Sequence, residues 1–172
     1  EAELRALQSQ INKHFIYNVL ETIKMMAEIN YQDEISNTVM ALSSIMRYSL
    51  TWKKHYVALE DEVEIVRNYV RLLNIRYDYS VNLLIDIEDR CMRQRILKMS
   101  LQPVVENSFT HGIEPRGAGG SVTISSMLDE KTLIIEVVDD GIGISEEELK
   151  KIRNYIDMDG SDAADISKGM GI

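Results

Sequence analysis

The first part of the chain carries apolar side chains at helical spacing. Two stripes repeat every three or four residues, which is the period of a helix with one buried face. The first stripe is Leu4, Leu7, Ile11, Phe15, Val19, Ile23, Met26 and Ile29, and the second is Ile35, Val39, Leu42, Ile45, Met46 and Leu50. Residues 30–33 between them are polar and predict a short turn, so the two helices should form an antiparallel hairpin. Because two helices cannot enclose a core, the pattern predicts a homodimer with a four-helix bundle.

From residue 56 onward the pattern becomes mixed. Residues 60–77 predict a third helix, and residues 80–88 predict a strand. Residues 93–112 predict a helix that Pro103 kinks or restarts and that Gly112 ends as a C-cap. Three further elements are expected: a β-hairpin of strands 120–128 and 132–140, and a short helix with Ser145 and Glu148 as its capping box. The predicted fold is therefore a helical hairpin, residues 1–55, followed by an α+β sandwich, residues 56–172.

Composition and charge narrow the class of protein. The net charge is −9, with 28 acidic and 19 basic side chains, which argues against direct nucleic-acid binding. Cys91 is the single cysteine, so an internal disulfide is excluded and a reducing compartment is expected. No apolar run approaches the roughly 20 residues that cross a bilayer. Any membrane attachment is expected only through segments absent from this chain.

His14 lies beside the first apolar stripe, and Asn18 and Glu21 follow on the same helix face. A lone histidine on a helix is usually a boundary or surface residue. A nucleophilic imidazole needs one exposed nitrogen and a partner for the other, which Asn18 or Glu21 can supply. A zinc site is poorly supported, because no second His or Cys stands at ligand spacing. From the helix alone, the structural and the nucleophilic role of His14 both stay open.

Two later segments carry residues that ordinary packing does not require. Asn107 lies in a predicted helix, where its side chain competes for backbone hydrogen bonds; the segment is either a plain amphipathic helix or a ligand or cation site. Asp139 ends a predicted strand and is followed by Gly141 and Gly143. This is the pattern of a common Asp-Gly turn. It also allows a flat ligand to approach the backbone closely while the carboxylate accepts an N–H from a base.

The order of these segments resembles the ATP-binding domain of the GHKL superfamily. An N box (Glu106–Gly112), a G1 box (Asp139–Gly143) and a G2 box (Gly169–Gly171) follow one another with a hairpin, a helix and a polar loop between them. Together with "HFIYN" at residues 14–18, the chain is similar to the LytS/YehU-type sensor histidine kinases. The resemblance implies a GHKL (Bergerat) α/β sandwich with a mixed sheet, incomplete at its C-terminus, behind a dimerisation and phosphotransfer hairpin.

The resemblance also implies roles for single residues. His14 would be the phosphoacceptor, positioned by Asn18. Asn107 would hold Mg²⁺, and Asp139 would accept the amino group of the adenine of ATP. The other implied contacts are the base and sugar pocket (Gly141, Gly143), the phosphates (Gly169, Gly171), a catalytic base or metal-shell residue (Glu106) and a phosphate-side contact (His111).

The implied activity is autophosphorylation of His14 and transfer of the phosphoryl group to an aspartate of a response regulator. The chain would be the cytoplasmic portion of a membrane-bound parent. It departs from the family in Lys13, where a proline is usual, which predicts a straighter helix, and in ending inside the G2 box at Ile172. Two alternatives stay open: a non-catalytic dimeric scaffold with a degenerate nucleotide site, and a GHKL ATPase in which Glu106 activates water.

Overall fold

The computed structural model describes residues 13–51, 55–130 and 132–157. The chain divides into two compact units, one ending at Gly141 and the other beginning at Ile142. The elements of the first unit are α1 (Lys13–Ile29), α2 (Asp33–Leu50), β1 (Tyr56–Ala58), α3 (Leu59–Arg76), β2 (Val81–Asp86), α4 (Asp89–Met92), β3 (Arg95–Leu97), α5 (Leu101–Asn107) with a π-helical turn (Ser108–Ile113) and a 3-10 turn (Glu114–Arg116), β4 (Gly120–Leu128) and β5 (Leu133–Asp139). The second unit contains α6 (Glu146–Asp157).

Helices α1 and α2 form the predicted antiparallel hairpin. Near the start of α1, Lys13 Nζ donates to the carbonyl of Leu50 at the end of α2, at 2.6 Å. One turn further along, the guanidinium of Arg47 lies 5.2 Å from the ring centroid of Tyr17. At the other end of the hairpin, Tyr31 takes a left-handed backbone conformation with φ of +55°, which allows the chain to reverse between the helices.

The hairpin leaves part of its apolar stripe at the surface of the single chain. Leu20 and Ala27 of α1 are buried, whereas Ile23 and Ile29 are 41% and 72% exposed. The first three residues of the predicted stripe, Leu4, Leu7 and Ile11, lie outside the described residues. One face of α1 therefore packs on α2, and a second apolar face is exposed.

Strands β2, β4 and β5 form a mixed sheet in that order. β2 runs parallel to β4, with Val81 opposite Gly120. β4 and β5 form the predicted antiparallel hairpin, with Val122 opposite Asp139. β1 and β3 form a separate antiparallel pair. The predicted fold class, a helical hairpin followed by an α/β sandwich with a mixed sheet, is confirmed.

The hydrophobic core of the sandwich combines one face of the sheet with the helices that precede each strand. Apolar side chains recur every three or four residues along α3 and along α5, and every second residue along β4, so each element presents one apolar face. The buried members of this core include Leu59, Val63, Val66, Val70, Val105, Phe109, Ile113, Val122 and Ile124. The same periodicity places the polar residues of α5 on the opposite face.

Residues 93–112 do not form the single helix that the sequence predicts. β3 occupies part of the segment, and α5 begins only at Leu101. Pro103 thus lies in the first turn, where its missing N–H needs no helical partner, so the predicted restart is confirmed. Gly112 is not a C-cap: it is buried inside the π-helical turn, and Gly117, with φ of +62°, is the left-handed residue that ends the segment. A short apolar run does not distinguish a strand from a helix, and this ambiguity accounts for the wrong prediction.

In the second unit the predicted capping box is confirmed. The Ser145 hydroxyl accepts the Glu148 N–H, and the Glu148 carboxylate accepts the Ser145 N–H, each at 3.3 Å. The hydrogen bonds from Ser145 hold the pKa of Glu148 below its usual value. Of the helices that the structure describes, none has the length and hydropathy of a membrane span. The predicted domain boundary at residue 55 stays a prediction, and α2 packs against α3 across it.

Candidate active site

The first candidate residue, His14, is exposed on α1 one turn from Asn18. The side-chain nitrogen of Asn18 lies 3.2 Å from His14 Nδ1, a hydrogen-bond distance that a spacing of four residues on a helix allows. Glu21, the other predicted partner, instead forms an ion pair with Lys24 at 3.3 Å. The structure therefore places one ring nitrogen of His14 against an amide and leaves the ring on the helix surface.

The N box is the exposed face of a continuous helical segment. Val105 and Phe109 on this segment are buried in the core, because apolar residues at a spacing of four share one helix face. Glu106, Asn107 and His111 are exposed on the other side. The three polar residues that the sequence assigns to the nucleotide are thus directed away from the core.

The N box and the G1 box meet through three residues. A Cβ atom added to Gly112 would lie 2.4 Å from Asp139 Oδ1. A Cβ atom added to Gly141 would lie 2.3 Å from the carbonyl carbon of Gly112. Side chains other than hydrogen cannot fit at such distances, so both glycines are needed for this close approach. Two motifs that are about 30 residues apart in sequence are thereby brought into one surface region.

The two neighbouring aspartates of the G1 box have different roles. Asp139 Oδ1 accepts the N–H of Gly141 at 3.0 Å, which fixes the orientation of its half-buried carboxylate. Asp140 instead connects the end of β5 to neighbouring parts of the chain. Its Oδ1 accepts the N–H of Ser121 at 2.8 Å, and Arg116 donates to its backbone carbonyl at 2.7 Å. Asp140 therefore stabilises the end of β5, and Asp139 keeps a second oxygen that can accept a hydrogen bond from a ligand.

A tyrosine lies beside the acidic end of the N box. Burial, followed by the negative charge of nearby Glu106, raises the pKa of Tyr69 to about 12. Tyr77, further along α3, donates to Glu114 at 2.7 Å, and this hydrogen bond raises the pKa of Tyr77. α3 and the N box segment are thus connected by polar contacts as well as by the core.

The oxygen donors on the N box are of the kind that Mg²⁺ prefers. Glu106 and Asn107 offer a carboxylate and an amide oxygen on exposed, adjacent residues. In the described ranges, no cluster of three or more His, Cys, Asp or Glu side chains forms a metal site. Mg²⁺ is commonly held by one or two protein oxygens together with substrate phosphates, so the residues present fit a metal that arrives with a nucleotide.

Of the three remaining predicted residues, the structure describes one. Gly143 belongs to the second unit and has φ of +71°, a backbone conformation that favours glycine. Gly169 and Gly171 lie outside the described residues. The role of each predicted site residue stays a prediction.

A cavity of about 1190 Å³, which no sequence pattern predicts, lies between the hairpin and the residues that follow it. Lys24 and Arg47 of the hairpin, Asp61 of α3 and Arg95 of β3 are among the residues that line it. None of the predicted nucleotide residues that the structure describes is in this lining. Its charges are mixed, and its residues are far apart in sequence, so only the folded chain shows it.

Glu62 is a second feature that the sequence did not reveal. It lies in the acidic run at the start of α3, where negatively charged side chains suit a helix N-terminus. Asp61 stabilises that end of the helix, because its carboxylate accepts the N–H of Ala58 at 3.2 Å. The side chain of Glu62 points inward and is 1% exposed.

Two family models match the chain and together span almost all of it. Residues 2–81 match a histidine kinase model. Residues 93–172 match the model described as histidine kinase-, DNA gyrase B-, and HSP90-like ATPase. The sensor histidine kinase YesM of Bacillus subtilis (strain 168) is 36% identical over 84% of this chain and 25% of its own length. The sensor protein kinase HptS of Staphylococcus aureus (strain USA300) is 32% identical over 92% of this chain and 30% of its own.

The chain spans between a quarter and a third of the length of these relatives. A solved structure, the blue-light activated histidine kinase of Erythrobacter litoralis EL346, aligns with 94% of this chain and 57% of its own, at 15% identity and a TM-score of 0.40. The two family models and the relatives agree with the order of the sequence motifs, and the chain belongs to the sensor histidine kinases.

Proposed function

We propose that the chain is the kinase core of a two-component sensor, which transfers the γ-phosphoryl group of ATP to His14. The observation that carries the proposal is the exposed imidazole of His14, held at 3.2 Å by Asn18 on a helical hairpin, in a chain that also contains an ATPase domain of the histidine kinase type. A purely structural histidine would need neither the exposure nor the neighbouring ATP-binding motifs.

The chemistry at His14 requires one ring nitrogen with an available lone pair. In the structure the NH₂ group of Asn18 faces His14 Nδ1. A half-turn of the amide about its Cβ–Cγ bond brings the carbonyl oxygen to the same place, where it accepts a hydrogen bond from a protonated Nδ1. Nε2 then carries the lone pair and attacks the γ-phosphorus. An N–P bond forms, the bond from the γ-phosphorus to the bridging oxygen breaks, and ADP leaves with that electron pair. Positioning and neutralisation of charge supply most of the rate enhancement in such reactions.

The nucleotide would bind where the N box meets the G1 box. Asp139 is half-buried and oriented by Gly141, so its second oxygen can accept the exocyclic N–H of adenine. A carboxylate accepts hydrogen bonds only, and it therefore favours adenine over guanine, which presents a carbonyl at the corresponding position. Gly112 and Gly141 keep this region of the surface free of side-chain bulk.

The phosphate end of the nucleotide would lie along the exposed face of the N box. Asn107 would hold Mg²⁺ through its amide oxygen, with Glu106 as a metal-shell residue or base and His111 near the phosphates. When bound, Mg²⁺ neutralises charge on the phosphates. The family implies that Gly143, Gly169 and Gly171 shape the rest of the pocket.

The exposed apolar face of α1 supports a homodimer. Ile23 and Ile29 are 41% and 72% exposed in the single chain, and apolar stripes of this kind are usually covered by a partner. A second copy of the hairpin would complete a four-helix bundle. From the family, the phosphoryl group would pass on to an aspartate of a response regulator, and the parent protein would be membrane-bound with this part in the cytoplasm.

Labelling of the full-length protein with γ-³²P ATP and Mg²⁺ tests the proposal. We expect label that is stable in alkali and lost in acid, because a P–N bond behaves in this way and a phosphoserine does not. His14→Gln should abolish the label, and Asn107→Ala should strongly reduce it. His55→Gln, which changes another exposed imidazole, is the matched control and should label like the wild type. Acid-labile phosphate in His14→Gln would show that the phosphoacceptor lies elsewhere.

A further inference from the structure

Glu62 is a buried acidic side chain that the proposed mechanism does not use. Its two carboxylate oxygens accept the N–H of Met99 at 2.6 Å and the N–H of Leu101 at 3.0 Å. The hydroxyl of Tyr48, on α2 of the hairpin, donates to the same oxygen as Met99. Burial of a carboxylate is unfavourable unless such donors compensate for lost water, so this cluster is stable only when all its members are in place.

The two backbone groups that Glu62 holds lie at the start of the N box helix. Leu101 is the first residue of α5, and the first N–H groups of a helix have no partner within the helix. The N-cap residue, Ser100, makes no capping hydrogen bond with its side chain. Glu62 therefore caps α5 from another helix. Asn107, the proposed metal ligand, is the last residue of the same α5.

The backbone just before α5 is strained, so the hydrogen bond to Glu62 restrains this turn as well as capping the helix. Met99 has φ of +59°, a conformation that residues with side chains rarely adopt. Strained residues persist where their surroundings hold them. The hydrogen bond from the Met99 N–H to Glu62 is such a restraint, so loss of the cluster should release this turn.

The hairpin holds the same segment at a second point. Lys98 Nζ donates to the carbonyls of Tyr48 and Thr51 at the end of α2, the latter at 2.5 Å. It also lies 4.5 Å from the centroid of the Tyr48 ring. A lysine near a helix C-terminus is favourable, because it binds carbonyls that have no helical partner. The segment from Lys98 to Leu101 is therefore attached to the end of α2 directly through Lys98 and indirectly through Glu62, which binds Tyr48.

We propose that Glu62 and Tyr48 are positioning residues that set the placement of the N box helix from the end of the phosphotransfer hairpin. The inference rests on the proposed function, because it assigns the metal–nucleotide role to Asn107. A movement of α2 that withdraws the Tyr48 hydroxyl removes one of three donors to Glu62. The cap on α5 then weakens, and Asn107 is held less firmly for Mg·ATP.

Tyr48→Phe in the full-length protein tests this, because it removes the hydroxyl and leaves the ring. We expect faster hydrogen exchange of the amides at residues 101–105, which reports directly on the cap. We also expect the gain in ATP affinity on adding Mg²⁺ to fall about three- to tenfold, the effect of one lost hydrogen bond. ATP affinity in EDTA, which depends on the adenine end, should stay unchanged. Tyr56→Phe, a change of a 55% exposed tyrosine close to the same junction, is the control.

Glu62→Gln gives a second measurement, because an amide presents an NH₂ group to N–H donors that need an acceptor. It should produce the same pattern more strongly, and Glu62→Asp should restore part of the Mg²⁺-dependent gain. Unchanged exchange at residues 101–105 in Tyr48→Phe overturns the inference. Faster exchange with an unchanged Mg²⁺-dependent gain reduces Glu62 to a structural cap and also overturns it. If the wild type carries no phosphohistidine, the proposed function fails, and the exchange and binding measurements still decide this inference.

Discussion

Gly112→Ala tests the nucleotide site by displacing the carboxylate of Asp139 rather than by removing it. The new Cβ atom would lie 2.4 Å from Asp139 Oδ1 and 3.0 Å from its Cγ. Atoms at these distances repel strongly, so the carboxylate must rotate away. The hydrogen bond that Gly141 donates to Asp139 Oδ1 at 3.0 Å is then lost or distorted. The oxygen that would face adenine moves with it.

The effect on stability should be smaller than the effect on binding. Overpacking of a buried site costs about 1–3 kcal/mol, whereas alanine in a helical segment is more favourable than glycine by about 1 kcal/mol. The expected loss in the free energy of unfolding is therefore about 0–2 kcal/mol. A misplaced carboxylate forfeits a hydrogen bond to a charged group, worth about 1.5–3 kcal/mol. ATP affinity should accordingly fall about 10- to 150-fold.

Calorimetric titration with ATP and urea unfolding of the full-length protein measure the two quantities. Gly117→Ala is the matched control, because its φ of +62° makes alanine unfavourable, yet the described part of the chain has no heavy atom within 4 Å of an added Cβ atom. It should lose about 1–2 kcal/mol of stability and keep its ATP affinity. Gly141→Ala should lose both, because its Cβ atom would meet the backbone of Gly112. Wild-type ATP affinity in Gly112→Ala, together with lost affinity in Asp139→Ala, would refute the displacement of the carboxylate.

Three further predictions follow from the described side chains. Ile23→Asp should raise the dissociation constant of the proposed dimer at least about tenfold, since burial of an exposed isoleucine by a partner is worth roughly 1.5–3 kcal/mol. Light scattering measures the mass of the particle. Thr22→Asp, which adds the same charge at the neighbouring position, is the control and should stay dimeric. The pKa of Tyr69 is raised from 10.0 to about 12, so its contribution to stability is complete below pH 10 and is lost as the pH rises toward 12. Tyr69→Phe should therefore flatten the decline of the urea midpoint over this range, and a decline as steep as that of the wild type would contradict the raised pKa of Tyr69. Acidification should weaken the N-terminus of α6, because the pKa of Glu148 is below its ordinary value of 4.5. The stabilisation by the Glu148 carboxylate is lost as the pH falls through the folded-state pKa. Amide exchange at residues 145–149 should therefore become faster in acid in the wild type, and Glu148→Gln should remove this pH dependence.

Local patterns predicted those elements that local interactions determine. The hairpin helices follow from apolar spacing, and the capping box of α6 follows from Ser145 and Glu148 alone, since its hydrogen bonds span three residues. The family was recognisable because its motifs are short and occur in a fixed order. Asp139 was correctly placed at the end of a strand, because alternation along β5 brings it opposite Val122 on the core side of the sheet.

Contacts between residues that are far apart along the chain could not be predicted from the sequence. Nothing in the acidic run at the start of α3 distinguishes Asp61, which caps its own helix, from Glu62, which caps α5 across 39 residues. Gly112 looked like a helix stop because a glycine after an apolar run usually is one. Its actual role, close contact with Asp139 and Gly141, depends on how β5 packs against the N box. Burial and register decide such cases, and neither can be inferred from spacing alone.

The end of α2 is the point at which the two halves of the proposed reaction meet. Lys13, next to the proposed phosphoacceptor His14, donates to the carbonyl of Leu50, and Lys98, before the N box helix, donates to that of Thr51. A proline at residue 13, which is usual in the family, has no side chain that could make the first of these bonds. Transfer requires His14 and the γ-phosphate to approach to about 3–3.5 Å, and a movement of the ATP-binding part relative to α2 would change the contacts of Lys98. These contacts are hydrogen bonds from one lysine, whereas Glu62 is buried and accepts hydrogen bonds from Tyr48, Met99 and Leu101. We therefore expect the Lys98 contacts to break more easily than the bond between Tyr48 and Glu62, which under our proposal carries the position of the hairpin to the N box helix.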